Sequence, residues 1–99
     1  MQAQSKTTEL ETNRVCVTGK VQGVGFRFST VRRAHELGIT GWVRNQEDGS
    51  VEALLQGTPD QIDDMLSWLQ VGPPRAQVND VQVERLYTDD RRYGNFQQI

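Results

Sequence analysis

The chain has 99 residues, a net charge of −2 at pH 7 and a single cysteine, Cys16. This length predicts one small domain. The acidic balance, with a pI of about 5.3, argues against a general nucleic-acid binder, which would present a basic surface. A lone thiol excludes an intrachain disulfide and a cysteine-cluster metal site, and a lone histidine excludes a multi-histidine site.

The first residues are mostly polar, so residues 1–12 are predicted to form a flexible tail ahead of a single domain at 13–99. This stretch contains no long apolar run of the kind found in secretory signals. Nothing later in the chain is apolar over a length that could span a bilayer. The sequence therefore predicts a cytoplasmic protein that does not contact membranes.

The alternating segment Arg14 to Thr18 predicts a first strand, and the glycine-rich string Gly19 to Arg27 follows it. Gly23 and Gly25 stand directly before a helical pattern. A glycine-rich turn at a helix N-terminus directs backbone N–H groups toward one point, which favours an anion there. The glycines fit an ordinary turn equally well, but Arg27 adds a planar charge that matches phosphate geometry. The string as a whole predicts a phosphate site.

The helical pattern runs from Phe26 to Leu37, and Gly38 is a typical helix stop. His35 borders its apolar side and is interpreted as a structural or surface residue rather than a catalytic one. Steps of three and four predict a buried stripe formed by Val24, Phe28, Val31 and Ala34.

Two strand patterns, Ile39 to Asn45 and Val51 to Gln56, flank the turn signal Asp48-Gly49 and predict a β-hairpin. Asn45 falls at the end of the first arm. Asn is common beside turns for local reasons, so this position does not identify a functional residue by itself.

A second helix is predicted by Thr58 as N-cap, Pro59 at N1 and Gln61 completing a capping box. A strand from Val78 to Leu86, a charged loop at 88–94 and a short strand from Phe96 to Ile99 complete the chain. The order β-α-β-β-α-β with one appended strand predicts an α+β, ferredoxin-like sandwich. Its sheet is expected to be antiparallel, with both helices on one face. The predicted core stripe of the second helix is Ile62, Met65, Leu66 and Leu69.

Two motifs in this order resemble the acylphosphatase family: Val21-Gln22-Gly23-Val24-Gly25-Phe26-Arg27, and Gly41-Trp42-Val43-Arg44-Asn45 with the following Asp48-Gly49-x-Val51-Glu52. The resemblance covers roughly residues 14–57. Beyond these residues the chain agrees with the family in the order of its elements and carries no specific motif.

The resemblance implies hydrolysis of small-molecule acyl phosphates to a carboxylate and inorganic phosphate, without a metal or an organic cofactor. It implies that Arg27 grips the phosphoryl group and that Asn45 positions the attacking water. The expected phosphate cradle is the backbone of Val21, Gln22, Gly23, Val24, Gly25 and Phe26. Because this loop contacts the phosphoryl group, tolerance toward the acyl part is expected. Inorganic phosphate or sulfate is expected to compete with the substrate for this site. The protein is expected to be a monomer, because nothing in the sequence requires a second copy.

One departure concerns Gln46, because the family often carries Thr directly after the catalytic Asn. Two other functions remain open. A non-enzymatic anion-binding module would keep the loop and Arg27 but would not need Asn45. An RNA-binding ferredoxin-like domain would need exposed aromatic residues on the central strands and a basic sheet face, which this acidic chain does not favour.

Overall fold

Two helices and five strands make up the part of the chain that the structure, a computed structural model, describes: residues 9–87 and 91–99. In chain order they are β1 (Glu11–Lys20), α1 (Phe26–Leu37), β2 (Thr40–Asn45), β3 (Val51–Gly57), α2 (Pro59–Leu69), β4 (Gln77–Arg85) and β5 (Phe96–Gln98). The predicted loop at 88–94 lies partly outside the described residues. Neither of the two described helices is long and apolar enough to cross a membrane.

The strands form one sheet in the order β4-β1-β3-β2-β5. The first four are antiparallel to their neighbours, as the ferredoxin-like plan requires. The predicted α+β, ferredoxin-like fold is confirmed. The expectation of a wholly antiparallel sheet is wrong for β5, which runs parallel to β2. Because β4 and β5 lie at opposite edges, they cannot form a hairpin, and the direction of β5 is set by its pairing with β2.

Both helices cover the same face of the sheet, and the core lies between them and that face. Alternation along each strand sends every second side chain to this face. The opposite face, called the open face below, receives the intervening side chains. The main core residues are Val15, Val17, Phe26, Ala34, Val43, Val51, Ala53, Leu55, Ile62, Met65 and Leu69.

The strand β1 is longer than predicted. Glu11 and Thr12, assigned from the sequence to the tail, pair with Gly57 and Gln56 of β3. Thr12 is buried, and its hydroxyl oxygen accepts a hydrogen bond from Gln56 Nε2 at 3.0 Å. The sequence gives no strand signal here because the segment is polar, and its polar groups acquire hydrogen-bond partners only when the sheet has folded. Residues 1–8 of the predicted tail lie outside the described part of the chain.

The bounds predicted for α1 are confirmed, but one residue of its predicted buried stripe is misplaced. Phe26, Thr30 and Ala34 face the core, whereas Phe28 is 63% exposed. Phe26 packs against Trp68 of α2 with ring centroids 5.9 Å apart. Two residues further on, a helix has turned by about 200°, so Phe28 points away from that contact.

Local signals located the next elements correctly. The β2–β3 hairpin surrounds the Asp48-Gly49 turn. The capping box of α2 is present, with Thr58 N–H donating to Gln61 Oε1 at 2.8 Å and Gln61 N–H donating to Thr58 Oγ1 at 3.3 Å. His35 is exposed on α1, and its Nε2 lies 3.3 Å from the backbone oxygen of Phe96, which fits a structural residue.

Candidate active site

A cavity of about 160 Å³ lies where the loop after β1 meets the end of β2. It brings together Arg27, Asn45 and all but one of the residues predicted to bind phosphate. The exception is Val24, whose side chain is buried in the core and which does not line the cavity. The lining residues are Val21, Gln22, Gly23, Gly25, Phe26, Arg27, Phe28, Asn45 and Gln98.

Two glycines give the glycine loop, residues 21–27, its shape. Gly23 has a φ of 73° and Gly25 a φ of 76°, in a region that other residues rarely adopt. A Cβ added at either position would meet no atom within 4 Å, so the backbone angle is what requires glycine. The first hydrogen bond of α1 runs from Ser29 N–H to the Gly25 oxygen at 3.0 Å. The N–H groups that precede Ser29 in the first turn have no helical acceptor, and their residues line the cavity.

Arg27 lies in the first turn of α1, beside these N–H groups. One guanidinium nitrogen, Nη1, donates to the backbone oxygen of Ile99 at 3.3 Å. This contact directs the side chain and leaves most of its five N–H donors for another acceptor. Among the described side chains, no Asp or Glu forms an ion pair with Arg27. The helix N-terminus and the guanidinium therefore present to one cavity a positive potential that no described Asp or Glu side chain compensates.

Asn45 is the last residue of β2, is exposed, and lines the cavity together with the residues of the glycine loop. The turn that follows is braced: Gln46 N–H donates to the Ser50 oxygen at 2.9 Å. The Asp48 carboxylate accepts from the Ser50 hydroxyl at 2.6 Å and from the Ser50 N–H at 2.9 Å. These two hydrogen bonds hold the pKa of Asp48 below its ordinary value of 3.8, and the bond from the Ser50 hydroxyl has the larger effect. Asn45 thus sits at the end of a well-fixed hairpin arm.

The side chain of Gln22 joins the glycine loop to this hairpin. Its Nε2 donates to the backbone oxygen of Gln46 at 2.8 Å and to that of Ser50 at 2.9 Å. The sequence indicated a backbone role for Gln22 within the cradle. In the structure its amide group also fixes the distance between the loop and the strand end that carries Asn45.

Gln46, which stands where the family often has Thr, does not line the cavity with its side chain. Its Nε2 donates to the Ser50 hydroxyl at 3.0 Å and lies 3.9 Å from Cys16 Sγ on the open face. Gln46 therefore braces the turn, and its backbone oxygen, which any residue would supply, makes the contact to Gln22. Cys16 is a partly exposed free thiol of the open face, as its strand position predicts.

Two residues at the cavity were missed by sequence reasoning, Phe28 and Gln98. A signal for Phe28 was available: once the helix starts at Phe26, the residue two positions on must face away from the core. No local signal was available for Gln98, because its place depends on β5 pairing with β2. Among the described residues, no three His, Cys, Asp or Glu side chains form a group that could hold a metal ion.

Comparisons with known proteins show the family to which the chain belongs. A model of the acylphosphatase family matches residues 13–98. The chain is 57% identical over 90 residues to an acylphosphatase of Bordetella parapertussis, covering 91% of this chain and 95% of the relative. It is 58% identical over 89 residues to one from Paraburkholderia xenovorans, covering 90% of this chain and 91% of the relative.

A solved structure of an acylphosphatase from Coxiella burnetii superposes with a TM-score of 0.86 at 39% identity, over 98% of this chain and 100% of that one. The family, the fold and the motifs of the glycine loop and the hairpin point the same way. The predicted assignment to the acylphosphatases, and with it to the hydrolases, is confirmed, and the chain belongs to the acylphosphatase family.

Proposed function

We propose that the cavity between the glycine loop and Asn45 hydrolyses acyl phosphates to a carboxylate and inorganic phosphate. Water attacks phosphorus, the bond from phosphorus to the acyl oxygen breaks, and its electron pair leaves with the carboxylate. A water proton passes to a phosphoryl oxygen. The carboxylate is a good leaving group, since the pKa of a carboxylic acid is about 4, so no strong general acid is needed.

In this mechanism the phosphoryl group lies against the glycine loop. Its oxygens accept hydrogen bonds from the N–H groups of the first turn of α1 and from the guanidinium of Arg27. These donors are positioned before the substrate arrives, because Gly23 and Gly25 fix the backbone and the Ile99 oxygen directs Arg27. Preorganised donors of this kind stabilise the charge that develops in phosphoryl transfer.

Asn45 orients the attacking water. A side-chain amide both donates and accepts, so it can hold a water in line with the leaving group without taking a proton itself. Its position at the end of β2 supports this role, because Gln22 holds that strand end against the loop at 2.8 and 2.9 Å. The convergence of loop, Arg27 and Asn45 on one cavity of about 160 Å³ is the observation that carries the proposal.

The test is hydrolysis of benzoyl phosphate, followed by absorbance with EDTA present, for the wild type and Asn45→Ala. We expect rapid hydrolysis by the wild type and a loss of turnover in the variant of at least about a hundredfold, since correct placement of a reactant can contribute that much. Affinity for inorganic phosphate, measured by competitive inhibition of the wild type and by direct titration of the variant, should change little.

Asn79→Ala is the matched control, because Asn79 is an exposed residue of β4 outside the cavity. A parallel fall of phosphate affinity and turnover in Asn45→Ala would make Asn45 a binding residue and contradict the water role. A folded wild type that binds phosphate without hydrolysing benzoyl phosphate would favour an anion-binding module. Activity lost to EDTA and restored by Mg²⁺ would contradict the metal-free mechanism.

The remaining expectations stay predictions. We propose a monomer acting in the cytoplasm, with phosphate and sulfate as competitive inhibitors, because both anions present the oxygens that the glycine loop and Arg27 would hold. Light scattering after gel filtration measures the mass of the particle, and a dimer would contradict the proposal.

A further inference from the structure

The exposed ring of Phe28 lies at the mouth of the cavity. Phe28 follows Arg27 in the first turn of α1, lines the cavity and is 63% exposed. The other large apolar side chains of the lining, Val21 and Phe26, are 1% and 2% exposed. Phe28 is therefore the large apolar side chain of this lining that an incoming ligand can cover.

We infer that Phe28 contacts the acyl group of the substrate and, within the expected tolerance toward the acyl part, gives the enzyme a modest preference for acyl phosphates with an aromatic or extended apolar acyl group. This inference rests on the proposed function. If the phosphoryl oxygens bind the glycine loop and Arg27, the acyl group must leave the cavity through its mouth. There it meets Phe28 on one side and the polar side chain of Gln98 on another, whereas Asn45 holds the water on the far side of phosphorus.

Phe28 suits this contact because a helix holds it in place. A side chain on a rigid element keeps a fixed position next to the bound phosphoryl group, and the ring has few rotatable bonds to immobilise. A benzoyl group can cover part of the ring, whereas an acetyl group offers a single methyl. Aromatic contacts and apolar burial of this size correspond to about a tenfold difference in binding.

The test compares kcat/KM for benzoyl phosphate and acetyl phosphate in the wild type, Phe28→Ala and Phe28→Leu. The wild type should prefer benzoyl phosphate by about tenfold or more. Phe28→Ala should lower this preference by about tenfold, mainly through a higher KM for benzoyl phosphate, since a contact equal in ground and transition states affects KM. Phe28→Leu keeps an apolar side chain and should retain an intermediate preference.

Val71→Ala is the matched control, because Val71 is 70% exposed and does not line the cavity. Its preference should equal that of the wild type. An unchanged preference in Phe28→Ala overturns the role of Phe28 and leaves the proposed hydrolysis intact. Hydrolysis of neither substrate by the folded wild type contradicts the proposed function, and the acyl contact with it. Loss in kcat alone, equal for both substrates, also overturns the inference.

Discussion

Two of the cavities lined by arginine residues differ in what compensates the arginine charge. The candidate active site, of about 160 Å³, contains Arg27. A groove on the open face, of about 530 Å³, contains Arg14 and Arg44. The larger groove has more charged side chains and resembles a binding site more closely at first sight, yet we propose that the chemistry takes place in the smaller cavity.

In the open-face groove the charges neutralise one another. Glu52 lies between the two arginines with its side chain only 10% exposed. Its Oε1 accepts from Arg44 at 2.7 Å, and its Oε2 lies 3.7 Å from Arg14 Nε. Arg14 pairs further with Glu84 at 3.0 Å. We call Arg14, Arg44 and Glu52 the ion-pair cluster, and it joins β1, β3 and β2 across the open face.

Arg27 is held differently. Its described partner is the backbone oxygen of Ile99 and not an Asp or Glu side chain, and the adjacent helix N-terminus adds to its positive potential. The comparison predicts that charge left uncompensated by the protein's own side chains is a better indicator of the ligand site than cavity size is. The ion-pair cluster should then contribute to stability, and Arg27 to activity.

The largest expected effect is that of Arg27→Ala on activity. Loss of a preorganised charged donor should lower kcat/KM for benzoyl phosphate by at least about a hundredfold, or roughly 3 kcal/mol of transition-state stabilisation. The free energy of unfolding should change by less than about 1 kcal/mol, because a single exposed hydrogen bond is lost. Steady-state kinetics and urea denaturation measure the two quantities.

Arg75→Ala serves as the control for Arg27, because Arg75 is an exposed residue of the segment between α2 and β4 and lies outside both cavities. Near-normal kinetics in Arg27→Ala would contradict the role of Arg27 in activity. A loss of stability as large as the loss of activity would mean that Arg27, like the ion-pair cluster, stabilises the fold.

An intermediate effect, on stability, is expected for Glu52→Gln. Both arginines would keep a neutral acceptor but lose their shared counter-charge. The free energy of unfolding should fall by about 1–2 kcal/mol. This loss lies between that expected for a surface ion pair and that for a buried one, because Glu52 is nearly buried while both arginines are half exposed. Urea denaturation measures it, and kcat/KM should stay within about twofold. Strongly reduced activity in a stable Glu52→Gln protein would give the open-face groove a functional role.

The smallest effect is expected at Asp48, in the turn between the two regions. Hydrogen bonds from Ser50 lower the pKa of Asp48 in the folded state, so its contribution to stability is present above the ordinary value of 3.8. It is lost as the pH falls through the lower folded value. The wild type should exceed Asp48→Asn in stability at neutral pH, and this difference should shrink in acid.

Thermal unfolding of both proteins across acidic pH measures that trend. If the difference in stability between the wild type and Asp48→Asn stayed constant from neutral pH to a pH well below 3.8, the charge of Asp48 would not stabilise the turn.

Elements with local signals were predictable from the sequence. Gly38 ends α1 where predicted, Thr58 and Gln61 cap α2, and Asp48-Gly49 forms the hairpin turn, because each signal depends on neighbours a few residues away. The motifs that resemble the acylphosphatase family singled out Arg27 and Asn45, which line the same cavity in the structure, and their roles there stay predictions.

What depended on contacts distant in sequence was not predictable. The first residues of β1 form a strand because they pair with β3 through backbone hydrogen bonds. The strand β5 is parallel to β2 because it pairs with the edge of β2 that β3 does not occupy. Phe28 was assigned to the core because the apolar stripe was counted from Val24, which precedes the helix. The amide of Gln22 has no sequence signature as a bridge, since its acceptors lie more than twenty positions away.

That bridge has a consequence for how the hairpin can vary. Gln22 binds backbone oxygens at Gln46 and Ser50, which every amino acid provides. Substitutions at these two positions leave the acceptors in place, which explains how Gln46 can replace a family Thr while the loop and hairpin stay joined. An added or deleted residue in the turn would move both oxygens and shift Asn45. Related chains should therefore be free to change the composition of this turn and constrained to keep its length.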